Sequence, residues 1–220
     1  MIRAVIFDAF GTLFQVTGGA SANAVRQRLQ AVGVDLEEGM FRRWWRDYYR
    51  KATAEGKAFQ TEQAIFFKRL DELYRRFGVG RNAAEDMWDF WDSVLKRELY
   101  PEVKSVLAAL GEHHRLYIAS NADTGILQKL LEKENVRVDG VFTSEDFGCY
   151  KPARAFYKKL LEAVPFEAEE ILFLGDSLQE DVLSPIEFGM QAAWICREDM
   201  PDAPPCRVLP RLPDRLDDFT

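Results

Sequence analysis

Near the start of the chain the apolar positions do not alternate. IRAVIFDAF runs from Ile2 to Phe10, broken only by Arg3 and Asp8, and stops at Gly11. A short β-branched run of this kind suits a strand buried on both faces, as in a parallel sheet. Similar runs recur as RLYIAS (115–120), VDGVFTS (138–144), EILFLG (170–175) and QAAWIC (191–196). Between them lie helical patterns: PEVKSVLAALGEH, TGILQKLLEKE, ARAFYKKLLEAV and QEDVLSPIEFG. Strands alternating with helices of about 10–15 residues predict βαβ units. The expected core is therefore an α/β, Rossmann-like parallel sheet with helices on both faces.

From about residue 15 to 96 that rhythm stops. ANAVRQRLQAVG, EGMFRRWWRDYYRKATAEG, TEQAIFFKRLDELYRRFG and NAAEDMWDFWDSVLKREL are helical segments separated by Gly-containing breaks, with no strand among them. This predicts an all-helical insertion (15–96) in a core made of 1–14 and 97–220. A separate N-terminal helical domain fits less well, because the first strand would then have no sheet partners. Trp44, Trp45, Tyr48, Tyr49, Phe66, Phe67, Trp88, Phe90 and Trp91 fall in this region. At helical spacing they are expected mainly as bundle core, with a minority facing a cleft. The Pro-rich tail from Pro201 to Pro213 is expected as an irregular surface strap.

Composition narrows the class. Apolar residues at 47% and charged residues at 30% predict a packed core rather than disorder. A formal charge of −7 argues against a general nucleic-acid binder, which needs a basic face. No apolar run approaches the roughly 18 residues of a membrane span, and no signal-peptide core precedes the first strand. Cys149, Cys196 and Cys206 form no CxxC pair, so neither a disulfide framework nor a zinc site is expected. A reducing cytoplasm is the simplest compartment.

In a parallel α/β sheet, ligands bind beyond the carboxyl ends of the strands. The first strand ends in Asp8, the next in Ser120 and Asn121. The segment after VFTSEDFGCY delivers Lys151, and EILFLG runs into Asp176, Ser177, Glu180 and Asp181. Any one of these is commonly a helix cap, a turn former or a surface lysine. Four polar strand ends in order, aimed at one crevice, are a stronger signal.

DAFGTL, SN, YKP and GDSLQED, in that order and spacing, resemble the four motifs of the haloacid dehalogenase-like (HAD) hydrolases over essentially the whole chain. The helical insertion looks like that family's cap. The resemblance implies that Asp8 is a nucleophile forming a covalent aspartyl intermediate. It implies that Ser120, with adjoining backbone and Asn121, holds the transferring group, and that Lys151 neutralises charge beside Asp8. Thr12 would orient the first loop. Mg²⁺ would be bound by Asp8, the carbonyl of Phe10, and Asp176, with Asp181 as a further or outer ligand. The substrate would be a small molecule, phosphorylated in the phosphatase branch, under a cap that closes over the crevice. Monomer and homodimer both remain open.

Phe10 departs from the phosphatase pattern, which carries a second aspartate there as general acid and base. That role is commonly worth ~10²–10⁴-fold. A leaving halide needs no proton, and the family's 2-haloacid dehalogenases typically carry an aromatic residue at this position. They also place a cap arginine near the halide, for which WWRDYY offers Arg46, and Tyr157 resembles their pattern too. Yet those dehalogenases lack the metal-binding aspartate of the fourth motif. Here three carboxylates would face one ammonium, an arrangement a divalent cation relieves. The expectation is a Mg²⁺-dependent hydrolase of a small phosphorylated compound, handicapped at Phe10. A dehalogenase-like hydrolase and a non-catalytic ligand- or partner-binding member are the alternatives.

Overall fold

The computed structural model describes residues 1–16, 20–35, 38–54, 56–197, 206–216 and 219. Its centre is a six-stranded, all-parallel sheet in the order β3-β2-β1-β4-β5-β6. The strands are β1 (Ala4–Phe7), β2 (Arg115–Ser120), β3 (Gly140–Thr143), β4 (Ile171–Gly175), β5 (Gln191–Ile195) and β6 (Val208–Leu209). β1 lies in the middle, paired with β2 on one side and β4 on the other, so the chain order reverses there. A reversal of this kind opens a crevice at the carboxyl ends of the strands.

β1 explains why its sequence did not alternate. Val5 and Phe7 join a core with Leu116, Ile118, Leu172 and Leu174 on one face of the sheet. Ala4 and Ile6 join Tyr117, Ala119, Ile171, Phe173 and the helical Phe156, Tyr157 and Leu160 on the other. Both faces are covered, so period-two packing leaves no polar position. Burying each such Val, Leu, Ile or Phe is worth about 1.5–3 kcal/mol, which is why this strand tolerates no charge until its end.

The insertion holds α1 (Ala20–Ala31), α2 (Glu38–Ala52), α3 (Glu62–Phe77) and α4 (Ala83–Leu95), all at the predicted places. Local signals set α3: the Thr61 side chain accepts from the Ala64 N–H, and Gly78 ends the helix with φ +63°. Asp86, buried on α4, accepts from Tyr74 and Arg81 and pairs with Arg28 at 3.5 Å, tying α1, α3 and α4 together. The two strands of chain entering and leaving the insertion run side by side. Phe14 bridges Leu99 antiparallel, Gln15 N–H donates to Glu98 O at 2.8 Å, and Tyr100 N–H donates to Leu13 O at 2.9 Å.

The remaining helices are α5 (Val103–Gly111), α6 (Thr124–Glu134), α7 (Ser144–Phe147), α8 (Arg154–Ala163) and α9 (Ser184–Glu187). QEDVLSPIEFG, expected as one helix, is a wide π-helical turn over Leu178–Leu183 that runs into α9. Two further expectations are corrected. The tail is more than a surface strap: Val208–Leu209 pairs with β5, and Leu212, Leu216 and Phe219 are buried apolar anchors. Residues 201–205 of that tail lie outside the described residues. Among the insertion's aromatics Phe66 and Trp91 are core, but Phe67 is 38% and Trp88 75% exposed, because they sit on the outward faces of α3 and α4. The side chains of Trp44, Trp45 and Phe90 lie outside the described set. Among the described residues no helix is long and apolar enough to cross a membrane.

Candidate active site

Asp8 follows directly on β1 and is buried. Its Oδ1 accepts from Ser120 Oγ at 3.0 Å and from Lys151 Nζ at 2.9 Å. Lys151, fully sequestered, also donates to Ala119 O at 3.0 Å and to Asp181 Oδ1 at 2.6 Å. Burial alone would push the ammonium's pKa down, but Asp181 and Asp8 outweigh it and hold Lys151 charged. The lysine therefore makes three charge-assisted or neutral bonds, with no proton donor spare.

Asp8, Asp176 and Asp181 each offer an oxygen within 4.8 Å of the others. The close approach depends on glycine. A Cβ at Gly11, where φ is +96°, would stand 2.2 Å from Asp176 Oδ2, and one at Gly175 would stand 2.3 Å from Asp181 Cγ. Asp181 is aimed inward by the π-helical turn, where its Oδ2 accepts from Ser177 N–H at 2.9 Å. Asp176 is fixed through its carbonyl, which accepts from Trp194 Nε1 at 2.8 Å.

Crowding these acids is costly. Burial, then repulsion from Asp8 and Asp181, pushes the Asp176 carboxyl up to about 8. Burial also raises Asp181 to about 6, with Lys151 pulling down and Asp8 pushing up. An all-oxygen set of this charge, short of one cation, fits a hard divalent ion such as Mg²⁺.

The remaining expected site residues are placed as follows. Asn121 Nδ2 donates to Lys151 O and to Glu180 Oε2, both at 3.0 Å, and Lys151 N–H donates back to Asn121 Oδ1 at 2.8 Å. Asn121 thus splints the second and third motifs. Thr12 is buried and its hydroxyl has no partner among the described residues; its carbonyl accepts from Arg197 Nη2 at 2.9 Å. The first loop is held mainly by backbone, with Leu13 and Phe14 N–H donating to Ala9 O. Tyr157 donates to Glu180 O. Arg46 lies exposed on α2, and among the described residues no contact joins it to the acid cluster.

Phe10 packs 6.2 Å from the Phe14 ring, and the guanidinium of Arg97 lies 4.6 Å from its ring centroid. Arg97 gave no sign in the sequence. The same is true of the contacts from the insertion. Asp123, just past β2, accepts from Glu62 N–H at 2.7 Å and Gln63 N–H at 2.8 Å, capping α3 from the core side. Tyr150, beside Lys151, donates to Gln60 O at 2.8 Å, and Tyr49 donates to Glu62 Oε1 at 2.7 Å. Burial pushes Glu62 up to about 7; Tyr49's hydrogen bond opposes this and Asp123 adds to it. Glu180 is pushed to about 7 as well, by burial first, against Lys151 and with Asp181 and Asp8. Sequence had marked Glu180 as a strand-end acid without giving it a role.

Comparison with known proteins agrees with this geometry. The family model of haloacid dehalogenase-like hydrolases matches residues 2–189. The chain is 28% identical over 211 residues to ribulose-1,5-bisphosphate 5-phosphatase of Halopiger xanaduensis, covering 92% of this chain and 88% of that one. Its fold resembles that of Bacillus subtilis YfnB bound to magnesium, with a TM-score of 0.76, 23% identity and coverage of 96% and 95%. It also resembles the L-2-haloacid dehalogenase of Xanthobacter autotrophicus with chloropropionic acid covalently bound, with a TM-score of 0.73, 20% identity and coverage of 96% and 95%. A phosphatase relative and a dehalogenase neighbour meet on one scaffold, and the chain belongs to the haloacid dehalogenase-like hydrolases.

Proposed function

We propose that this hydrolase is Mg²⁺-dependent and releases phosphate from a small phosphorylated compound, with Asp8 as nucleophile. The observation that carries this is the convergence of Asp8, Asp176 and Asp181 within 4.8 Å around Lys151. Asp8 and Asp176, together with Asp181 and the Phe10 carbonyl, would hold the ion. Its chemistry is to neutralise phosphoryl oxygens and draw them toward the nucleophile.

In the reaction, a carboxylate oxygen of Asp8 attacks phosphorus and the ester oxygen leaves with its electron pair, giving an aspartyl phosphate. Water then attacks that phosphorus, releasing phosphate and restoring the carboxylate. Ser120 and Lys151 hold Asp8 by its Oδ1, fixing the direction of approach. Phe10 supplies no proton to the departing alkoxide, so activity on alkyl esters is low, and esters with good leaving groups are hydrolysed best. Curated relatives named as a ribulose-bisphosphate phosphatase and a phosphoglycolate phosphatase support a small phosphorylated substrate. The helical insertion serves as the cap that covers the crevice.

The test is phosphate release from a panel of small esters with Mg²⁺ and with chelator, beside Asp8→Asn. Release that needs both Mg²⁺ and Asp8, with Asp8→Asn lower by about 10³-fold or more, is the expected result. Phe10 favours one second reading, carbon–halogen cleavage, in which halide departs without a proton. Metal-independent halide release from a 2-chloro acid, with no phosphate release, would replace the first reading by the second. Vanadate binding without turnover of any ester would mark a silent binding protein.

A further inference from the structure

Above the acid cluster the crevice has a second wall, built from the insertion and the link that leaves it. Arg97 closes this wall on one side. Its guanidinium carbon lies 4.6 Å from the ring centroid of Phe10, two residues beyond the nucleophile. Its backbone is fixed from the core, because Lys133 Nζ of α6 donates to Arg97 O at 3.2 Å and to Leu95 O at 3.0 Å. The side chain is only partly exposed, and burial pushes its pKa down while the Glu62 carboxylate pushes it up. Yet among the described residues no carboxylate comes within ion-pair distance and no acceptor takes its N–H groups. Arg50, Arg69, Arg75 and Arg81 of the insertion are, in contrast, all paired with acids.

Glu62 faces Arg97 across a gap too wide for a salt bridge, and it also feels Asp123 and Glu180. Glu180 in turn reaches the reaction centre through Asn121, Lys151, Asp181 and Asp8. Glu62 is thus within electrostatic reach of both Arg97 and Glu180, while Arg97 contacts Phe10 and Glu180 accepts from Asn121. A half-buried guanidinium is costly to leave unanswered. Here it rests against an aromatic ring, and its paired donors, which match a carboxylate or phosphate, are left for another molecule.

We propose that Arg97 is a specificity-determining residue that anchors a second anionic group of the substrate, so that the favoured substrate is a small phosphate ester carrying a carboxylate or a further phosphate. This rests on the phosphatase reading. It gives Phe10 a purpose beyond the lost acid: its ring is the platform that holds the guanidinium in place.

Glycerate 3-phosphate and glycerol 3-phosphate form a matched pair that differs by carboxylate against CH₂OH at one carbon. Their binding to Asp8→Asn protein, in Mg²⁺, is measured by calorimetry with Arg97 intact, and then with Arg97→Met and Arg97→Lys added. A charge-assisted pair of this kind corresponds to about 10- to 100-fold in affinity. With Arg97 intact the carboxylate ester binds tighter by about that factor. The ratio falls toward one in Arg97→Met and is intermediate in Arg97→Lys. Equal binding of the two esters with Arg97 intact, an unchanged ratio in both variants, or binding of neither ester overturns the proposal. Phosphate release by the unmodified enzyme is scored separately, and its absence overturns the phosphatase reading whatever the binding ratio shows.

Discussion

The two walls of the crevice are built on opposite terms. On the core side the central charges are held more than once: Lys151 meets Asp8, Asp181 and a carbonyl, while Asp181 meets Lys151 and a backbone N–H. On the insertion side, where it meets the core, the side chains are held more sparingly: the Glu62 carboxylate accepts from Tyr49, and Arg97 rests on the Phe10 ring. Over-determined groups cannot move or change protonation without breaking a network, so they suit a reaction centre. Under-determined groups can answer a ligand, and they suit discrimination.

Breaking the core side should have the largest effect. Lys151→Met leaves Asp8 and Asp181 buried without their cation, which costs about 3–5 kcal/mol. Urea unfolding in chelator measures the loss. Added Mg²⁺ should recover part of it in the variant, because bound ion meets the same carboxylates. A loss below about 1 kcal/mol would mean that the network is far less tightly coupled than its distances imply.

Restoring an acid should have the next effect. Phe10→Asp is expected to raise kcat on glycerol 3-phosphate by about 10²-fold, the lower range for general acid catalysis. The gain on p-nitrophenyl phosphate should be much smaller, because that leaving group hardly needs a proton. Equal gains on both esters would point away from proton donation.

The smallest effect belongs to the insertion side and depends on pH. An ordinary glutamate loses its proton near 4.5, whereas Glu62 keeps it to about 7. Between those values the folded protein binds the extra proton, so stability falls as pH rises through this window. Glu62→Gln should remove on the order of 1 kcal/mol of that slope, a figure reduced for partial exposure. Unfolding of the two proteins from pH 4.5 to 7.5, with Mg²⁺ present to quiet the aspartates, gives the difference.

The same contrast decides what could be read from the chain alone. Asp8, Ser120, Lys151, Asp176 and Asp181 were legible because each stands at a strand end or in the segment that follows one, and the sheet order then brings those ends together. α3 was legible through Thr61 and Gly78, which act within a turn of the helix ends. Asp123 drew no notice in the sequence, yet its carboxylate serves α3, some sixty positions away. No local pattern records such a pairing. Arg97 falls in a segment expected as helical, whereas α4 stops at Leu95, and its meaning depends on its contact with the Phe10 ring. β6 is two residues long and follows a Pro-rich stretch, so it carried too little pattern to register. Trp88 and Phe67 have helical spacing, but spacing alone gives the face a residue shares, not which face meets the core.

The paired strands at Phe14 and Leu99 bear on how such a chain diversifies. Entry and exit of the insertion are hydrogen-bonded neighbours, joined from Gln15 to Glu98 and from Leu13 to Tyr100. To the sheet, everything between them is one long loop whose ends are already fixed, and loop-closure entropy grows only slowly with length. The junction therefore works as a socket. Segments of very different size can be exchanged there at little cost to the sheet, so the reaction can be inherited while its choice of substrate is replaced wholesale.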